Sequence, residues 1–300
     1  MLSLEDFKRI TIEDKPIFDR IYATFPPIHS DYVFTTLISW MDYAKYQYAL
    51  LDDTIILFSQ IDGAIRFRPP IGEKKKTIFD QVLKLAKEQS PDCPFGMILS
   101  DTKEWMENIY SDLNFQEHRG FFDYVYLASD LADLSGSEYG KIRNRINKFK
   151  KSSEYHVEAI SEKNFDEVRE FLKRWCLWRD CASDPLLEHE RKAILCSMEH
   201  FFELGLSGIA IRINHSIEVI SVFERMNSDT AVVHYEKGSP EYDGIYKVIN
   251  QETAALLRND VQYINRESDM DIPGLRKAKM SYRPHHMVKV FHLCKQDIMF

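Results

Sequence analysis

The sequence lacks several features that would identify a common class of protein. Its 300 residues contain no run approaching the roughly 20 apolar residues of a membrane-spanning helix. The first residues include acidic side chains and no long apolar stretch, which is not the pattern of a secretory signal. No P-loop, dinucleotide fingerprint or G-x-S-x-G motif occurs. We therefore expect a cytoplasmic protein without a transmembrane segment, and neither a P-loop nucleotidase nor a serine hydrolase.

Metal-binding motifs and an excess of basic charge are also absent. The five cysteines show neither a metal-binding spacing nor an even-numbered disulfide framework, so we expect reduced thiols packed as small apolar side chains. The D-x-D spacing at 269–271 has no other ligand cluster beside it, and we expect no metal site. The formal net charge is −8, which argues against a dedicated DNA-binding protein. The cysteines are Cys93, Cys176, Cys181, Cys196 and Cys294.

What the chain does have is a regular alternation of amphipathic helices and short apolar strands. Its 44% hydrophobic and 13% aromatic residues suit a folded core, and its length suggests two domains. Each half contains helices, then three strands, a helix, a strand, a short helix and a final strand. This order predicts an α+β protein with two domains of like topology. We place the N-terminal domain at 1–134, a connecting helix at 135–152 and the C-terminal domain at 153–300.

The connecting helix is amphipathic and basic. Tyr139, Ile142, Ile146 and Phe149 fall on one stripe of a helix, which predicts that this stripe packs against a domain. Cations, Arg143 among them, occupy much of the remaining surface. They indicate either a site for phosphate groups or an ordinary solvated face.

The segment 232–284 has the most varied polar residues. It includes HYEKG at 234–238, GIYKVIN at 244–250 and INRESDM-x-IPGLRKAKMSY at 264–282. The pattern predicts a strand at 231–237, a helix at 244–258, a strand at 261–267 and a short helix at 275–282. The first half has no equivalent of the polar 264–282 region. We therefore expect the chemistry in the C-terminal domain and a non-catalytic N-terminal domain.

The order of elements resembles that of a GNAT (Gcn5-related acyltransferase) domain. The motifs quoted above, together with Y-x3-RNRINKF at 139–149, resemble the soluble proteins related to the C-terminal domain of phosphatidylglycerol lysyltransferases. The resemblance implies two tandem GNAT-like domains, each with a mixed, mostly antiparallel sheet flanked by helices. It also implies an acyltransferase whose donor lies where the fourth and fifth strands of the C-terminal domain separate.

The resemblance leaves two donors open. An acyl-CoA such as acetyl-CoA would place its pyrophosphate on the amides that open the helix from Ile245, with Gly238 and Gly244 allowing close approach. An aminoacyl-tRNA, the donor of lysyltransferases and Fem-type aminoacyltransferases, needs an extended basic surface, which only 141–151 offers. The acidic net charge favours the CoA thioester. A catalytically inactive protein that binds a ligand is the third alternative.

The resemblance and the residue types assign roles to individual side chains. Glu236, near the end of the fourth strand, is the candidate base, and Tyr282 is the candidate acid for the leaving group. Each has a structural alternative, since Glu236 could pair with Arg266 or Lys237 and Tyr282 could pack on the sheet. The residues expected to bind the donor are His234, Tyr235, Lys237, Gly238, Gly244, Ile245, Tyr246, Asn265, Arg276 and Lys279. Those expected to bind the acceptor, which is a small molecule, a peptide or a lipid headgroup, are Arg143, Arg266, Glu267 and Asp269.

Overall fold

The computed structural model describes residues 2–90, 92–110, 113–181 and 184–298, and these divide into two compact units. Unit 1 comprises Met1–Phe122, Ser268–Asp271 and Val288–Phe300, and unit 2 comprises Asp123–Glu267 and Ile272–Met287. The fold is α+β, with one mixed, mostly antiparallel sheet and flanking helices in each unit, as expected of tandem GNAT-like domains. Among the described residues, no helix has both the length and the apolar character needed to cross a bilayer.

Unit 1 is built on a sheet with the strand order β1-β2-β3-β4-β5-β14-β6. Its strands are β1 (Lys8–Arg9), β2 (Gln47–Leu51), β3 (Thr54–Ile61), β4 (Ala64–Phe67), β5 (Phe95–Leu99), β6 (Gln116–Glu117) and β14 (Val290–Leu293). Its helices are α1 (Lys15–Tyr22), α2 (Phe34–Ser39), α3 (Met41–Ala44), α4 (Lys76–Gln89) and α5 (Ser100–Ile109). The apolar face of α4, formed by Ile78, Val82, Leu85 and Ala86 at helical spacing, is buried in the core of this unit.

Unit 2 is built on a sheet with the strand order β13-β7-β12-β11-β10-β9-β8. Its strands are β7 (Asp123–Leu127), β8 (His156–Ala159), β9 (Ser207–Ile213), β10 (Ser216–Arg225), β11 (Thr230–Gly238), β12 (Tyr263–Asn265) and β13 (His286–Val288). Its helices are α6 (Ala128–Asp133), α7 (Gly140–Ser152), α8 (Phe165–Arg179), α9 (Pro185–Glu199), α10 (Phe201–Leu204), α11 (Ile245–Leu257) and α12 (Pro273–Met280). The predicted stripe of α7 is confirmed, because Tyr139, just before the helix, and Ile142, Ile146 and Phe149 are all buried in the core of this unit.

Two hairpin turns show why the sequence folds into these meanders. Asp52 and Asp53, between β2 and β3, have φ of 48° and 57°, and Asn214 and His215, between β9 and β10, have φ of 47° and 70°. Two successive residues with positive φ make the tight turn that matches the twist of the flanking strands. Asp and Asn tolerate this conformation better than most residues.

The two sheets exchange their last strands relative to chain order. Strand β7, which ends the first half of the sequence, pairs with β12 in unit 2. Strand β14, near the end of the described chain, pairs with β5 in unit 1. The compact units therefore differ from the contiguous segments 1–134, 135–152 and 153–300. An alternating apolar pattern predicts that a strand exists, but it does not specify which sheet edge accepts the strand.

Gly244 fixes the approach of α11 to α7. It stands directly before α11 with φ of +94°, in the left-handed region. A Cβ atom at this position would lie 3.1 Å from the backbone oxygen of Arg145 on α7. Both the conformation and the close approach therefore require glycine.

We predict that Gly244→Ala lowers the free energy of unfolding by about 1 to 3 kcal/mol, because alanine must adopt a strained backbone conformation beside α7. Urea denaturation monitored by circular dichroism measures this change. Gly140→Ala is the matched control, because a Cβ at this position of α7 meets nothing within 4 Å. Equal stability of Gly244→Ala and the wild type would show that the backbone relaxes freely here.

Candidate functional site

Strands β11 and β12 separate after a short parallel pairing. Thr230 to Val232 pair with Tyr263 to Asn265, and along the rest of β11 no described strand pairs with that edge. On its other edge, β11 pairs with β10, and the register shifts so that Val233 faces Phe223 while Tyr235 faces Val222. His234 is therefore an extra residue in a β-bulge, a feature that bends a strand and redirects its side chains.

After the bulge, two predicted donor-binding residues point towards α8 and α9. The Tyr235 hydroxyl lies 3.0 Å from Oγ of Ser197. The Lys237 ammonium donates to Oε1 of Glu190 at 2.8 Å and lies 4.3 Å from the ring centroid of Trp175. The structure therefore engages both side chains in packing on this face of the sheet.

Glu236 points the other way and forms the centre of a buried polar cluster. Its Oε2 accepts a hydrogen bond from Nη2 of Arg266, and the two side chains are 7% and 17% exposed. The buried amide of Asn250, on α11, lies against both groups; with its oxygen turned to the guanidinium, it accepts from Nε at 3.2 Å and Nη1 at 3.1 Å. The guanidinium lies 5.3 Å from the ring centroid of Tyr282. The structure thus brings together the two candidate catalytic residues through Arg266.

The electrostatic surroundings keep Tyr282 protonated. Burial raises the pKa of its phenol to about 12, although the nearby charge of Arg266 acts in the opposite direction. Nζ of Lys247 lies 5.7 Å from the same ring. Burial lowers the pKa of Lys247, and the charges of Arg145 and Arg266 lower it further. A protonated phenol close to the guanidinium of Arg266 is suited to donate a proton to a developing anion.

The bulged His234 lies between two carboxylates. Its Nε2 is 2.8 Å from Oε1 of Glu224 on β10, and its Nδ1 is 3.1 Å from Oε1 of Glu267, which follows β12. Burial alone would lower the pKa of this imidazole, but its hydrogen bonds to the two carboxylates raise it to about 9. His234 is therefore a buried cation at neutral pH, and it bridges β10 to the segment after β12.

Lys279 connects α12 to the segment that follows β12. Its ammonium donates to the backbone oxygen of Arg266 and to that of Glu267 at 3.2 Å. Burial lowers the pKa of Lys279 to about 8, and the charge of Arg266 contributes to this effect. Arg276 lies on α12, one turn before Lys279, and is half-buried. The expected cationic helix is thus present beside the cluster.

The start of α11 makes internal hydrogen bonds at two of its first amides. The amide of Ile245, whose side chain is buried, donates to the backbone oxygen of Tyr242 at 3.2 Å, and that of Lys247 donates to Gly244 at 2.8 Å. The Tyr246 hydroxyl donates to the backbone oxygen of Gly238 at 3.1 Å. These hydrogen bonds are internal to the turn for which the sequence predicts a pyrophosphate site.

Two carboxylates also lie at this helix start. Glu241 and Asp243 are exposed in the turn before α11, and Asp243 pairs with Lys148 of α7 at 3.4 Å. Negative side chains stabilise a helix N-terminus, but they repel a phosphate from it.

Three other predicted residues are engaged in local structure. The fully buried Asn265 donates to Oδ2 of Asp123 at 2.7 Å and accepts from the amide of Glu267 at 2.7 Å. Asp269 is buried in unit 1 and pairs with Arg119 at 3.2 Å. Arg143 donates to the backbone oxygens of Leu134 and Gly136. The side chain of Asn265 is therefore engaged by groups of unit 2, and that of Asp269 by a group of unit 1.

Sequence reasoning missed Asn250 and Glu224. Asn250 had a detectable signal, because it is a polar residue on the buried face of α11, in line with Thr253, Ala254 and Leu257. Glu224 had none, since it reaches His234 only because the bulge shifts the register between β10 and β11.

Comparisons with known proteins agree with this architecture. Over residues 22–294 the chain matches the family described as "Phosphatidylglycerol lysyltransferase, C-terminal". A crystal structure described as a conserved protein of unknown function from Bacteroides thetaiotaomicron VPI-5482 is 31% identical and has a TM-score of 0.86, with 96% of this chain and 98% of that chain covered. The structure of L-PGS from Bacillus licheniformis has a TM-score of 0.64 at 11% identity, with 94% of this chain and 92% of that chain covered. This second likeness shows the fold alone.

A more distant relative is an uncharacterized protein of Mycoplasmoides gallisepticum. It is 21% identical over 187 residues, which span 62% of this chain and 59% of the relative. The family match covers most of the chain, and the structural likeness to the Bacteroides protein covers nearly all of it. The chain therefore belongs to the family of phosphatidylglycerol lysyltransferase C-terminal domains, a family of acyl- and aminoacyltransferase-like proteins.

Proposed function

We propose that unit 2 transfers an aminoacyl group from an aminoacyl-tRNA to an amine or hydroxyl acceptor. The observation that carries this proposal is the buried cluster of Glu236, Arg266, Asn250 and Tyr282, at the point where β11 and β12 separate. It combines a carboxylate, a fixed guanidinium and a protonated phenol, which are the groups that acyl transfer requires. Membership of a lysyltransferase-like family supports the same chemistry.

Each group has a defined task in this reaction. The acceptor nitrogen or oxygen attacks the ester carbonyl and passes a proton to Glu236. The guanidinium of Arg266 stabilises the negative charge that develops on the carbonyl oxygen. The carbon–oxygen bond to the tRNA ribose then breaks, and Tyr282 protonates the departing oxygen.

Glu236 can serve as the base although it is paired with Arg266. The ion pair uses Oε2. When the Asn250 oxygen faces the guanidinium, no described side chain donates a hydrogen bond to Oε1 of Glu236. A carboxylate oxygen has two lone pairs, so Oε1 can accept the proton of the acceptor while Oε2 keeps the guanidinium in place.

The start of α11 favours the tRNA ester over a CoA thioester. Two of its first three amides bond to carbonyls of the same turn, and Glu241 and Asp243 are exposed beside them. A pyrophosphate would have to overcome this negative charge. In contrast, α7 presents exposed cations that suit an extended phosphate backbone. They are Lys141, Arg145 and Lys151, together with Lys148 and Lys150, which pair with Asp243 and Glu252.

Acyl-CoA is the second candidate donor, and one observation favours it. Beyond Val232, no described strand covers the edge of β11 that faces β12. Unpaired backbone groups at such an edge can hydrogen-bond to an extended ligand, in the way that strands are added to a sheet. The pantetheine arm of CoA has amide groups of this kind.

We predict that Tyr282→Phe and Glu236→Gln each lower kcat at least about 100-fold, because each removes a proton-transfer group. Tyr282→Phe should change KM little, whereas Glu236→Gln also leaves the buried guanidinium of Arg266 without its charge partner and should lower the free energy of unfolding. The assay follows transfer of labelled amino acid from charged tRNA to phosphatidylglycerol vesicles or to soluble amines.

The matched control is Tyr263→Phe, because Tyr263 is a partly buried tyrosine on β12 whose ring packs on His285 and His286. Its activity should equal that of the wild type. If transfer occurs and neither catalytic variant slows it, the assigned roles are wrong.

We predict that tRNA raises the melting temperature in a salt-sensitive manner and that CoA and acetyl-CoA do not. The double variant Lys141→Ala, Lys151→Ala should reduce the slope of log Kd against log salt concentration by roughly one per lysine. The control variant Lys84→Ala, Lys163→Ala removes two exposed lysines elsewhere and should leave the slope unchanged. A shift with CoA alone would favour the thioester donor.

His234 stabilises the site because its positive charge lies between the carboxylates of Glu224 and Glu267. Its pKa of about 9 in the folded state exceeds the ordinary value of about 6.5 in the unfolded chain. The folded state therefore binds the proton more tightly. The resulting stabilisation is complete below pH 6.5 and disappears as the pH rises through 9.

We predict that the free energy of unfolding of the wild type, relative to that of His234→Gln, falls by up to about 3 kcal/mol between pH 6.5 and pH 9.5. The comparison cancels the opposite trend from Lys279, whose lowered pKa makes the protein more stable above pH 8. Urea titrations at several pH values measure the difference. The free energy of unfolding of His156→Gln, at an exposed position of β8, should show the same pH dependence as that of the wild type. If His234→Gln also shows the pH dependence of the wild type, His234 does not carry the stabilising charge.

A further inference from the structure

Unit 1 contains a half-buried cluster of one histidine and two cysteines. Cys93 stands just before β5, His292 lies on β14 and Cys294 directly follows β14. Each offers one ligand atom, and the three atoms lie within 4.8 Å of one another. The two sulfur atoms are 3.2 Å apart. We propose that this cluster binds a zinc ion through Cys93, His292 and Cys294.

The sheet topology explains why residues so distant in sequence meet. Strand β14 pairs antiparallel with β5, and Leu293 lies opposite Phe95. The contact continues beyond the strands, because the amide of Lys295 donates to the backbone oxygen of Asp92 at 2.7 Å. Cys294 is thereby held beside the segment that contains Cys93.

The strand geometry also places His292 in the cluster. Side chains two residues apart on an extended strand point to the same face. Cys294 has extended backbone angles, φ −77° and ψ 157°, so its side chain shares a face with that of His292. The ring of His118 packs edge-on against His292, with 5.4 Å between ring centroids, which limits the movement of the imidazole.

The distances suit a tetrahedral ion after small adjustments. Zinc binds sulfur at about 2.3 Å and histidine nitrogen at about 2.0 Å, so its ligand atoms lie roughly 3.5 to 3.8 Å from one another. The two sulfur atoms, 3.2 Å apart, are slightly closer than in such a site, and the largest separation among the three ligand atoms, up to 4.8 Å, is somewhat longer. Side-chain rotations alone can correct differences of this size.

A buried ring nitrogen gives a second, independent indication. Nδ1 of His292 is inaccessible to solvent and has no hydrogen-bond partner among the described residues. Buried polar atoms in folded proteins nearly always have a partner, and an ion that is absent from the coordinates is one explanation for an exception. Coordination through this nitrogen would satisfy it.

The donor set selects the metal. Two thiolates and one imidazole suit zinc, whereas calcium and magnesium require oxygen ligands. On binding, both thiols release their protons to the solvent, and a water molecule completes the fourth position. The ion would join the segment before β5 to the end of β14 and so fasten the exchanged strand to the sheet of unit 1.

Metal binding by the full chain tests the proposal. The protein is stripped with a chelator under reducing, oxygen-free conditions and titrated with Co²⁺ as a spectroscopic substitute for Zn²⁺. We expect one equivalent to produce the thiolate charge-transfer and visible bands of a tetrahedral site, and zinc to displace it. Zinc at 100 times its Kd should also raise the melting temperature by roughly 5 °C, and a chelator should reverse this rise.

The variants Cys93→Ser, Cys294→Ser and His292→Ala should each weaken metal affinity at least tenfold. Cys196→Ser removes a half-buried thiol outside the cluster and should bind like the wild type. The double variant Cys176→Ser, Cys181→Ser controls for the other neighbouring pair of thiols. The melting shift of the wild type keeps the test informative if a cluster variant folds poorly.

Three results would overturn the proposal. The first is cobalt bands that persist in the cluster variants or disappear in the Cys176/Cys181 control. The second is the absence of a stoichiometric metal-dependent melting shift in the wild type. The third is a disulfide between Cys93 and Cys294, detected by mass spectrometry of protein purified without oxygen, which would identify the pair as a covalent crosslink.

Discussion

The buried ion pair between Arg266 and Glu236 is the interaction on which the rest of unit 2 depends. Removing two charges from water costs several kcal/mol each, and only close pairing with further hydrogen bonds offsets that cost. Here the guanidinium also meets the Asn250 amide and the face of the Tyr282 ring. One charge pair therefore joins β11, α11, the end of β12 and the residues after α12. Loss of either partner would leave an unpaired buried charge among all four.

The same pair explains how β11 and β12 can separate without a loss of order. Two strands that part expose backbone groups and weaken the sheet, so something else must hold their ends. Glu236 and Arg266 join them on one side, and the charged His234 joins β10 to the residues after β12 through Glu224 and Glu267. Ion pairs thus connect the segments that the missing strand pairing leaves unconnected.

Local features of this fold follow from the sequence, whereas long-range pairings do not. The apolar stripe of α7 and the tight turn at Asp52 and Asp53 arise from short patterns, whereas the separation of β11 from β12 is what the family resemblance implies. Tyr235 and Lys237 are different, because a one-residue bulge decides which face of the sheet they reach. Asn265 has the residue type of a ligand-binding group, yet its partner Asp123 comes from an exchanged strand. The pairing of Glu236 with Arg266 could thus be anticipated from the sequence, whereas the partners of Tyr235, Lys237 and Asn265 could not.

The exchanged strands contribute residues both to the Glu236 cluster's surroundings and to the cysteine–histidine cluster. Strand β7 supplies Asp123 to the support of the Glu267 segment in unit 2, and β14 brings His292 and Cys294 to Cys93 in unit 1. Spacing rules for metal sites assume ligands on neighbouring turns or hairpins, so they find no signal in Cys93 and Cys294, which are 201 positions apart in the sequence. No short loop keeps β14 beside β5, so their junction depends on backbone hydrogen bonds and side-chain packing. A metal bound by Cys93, His292 and Cys294 would add a further link at that junction.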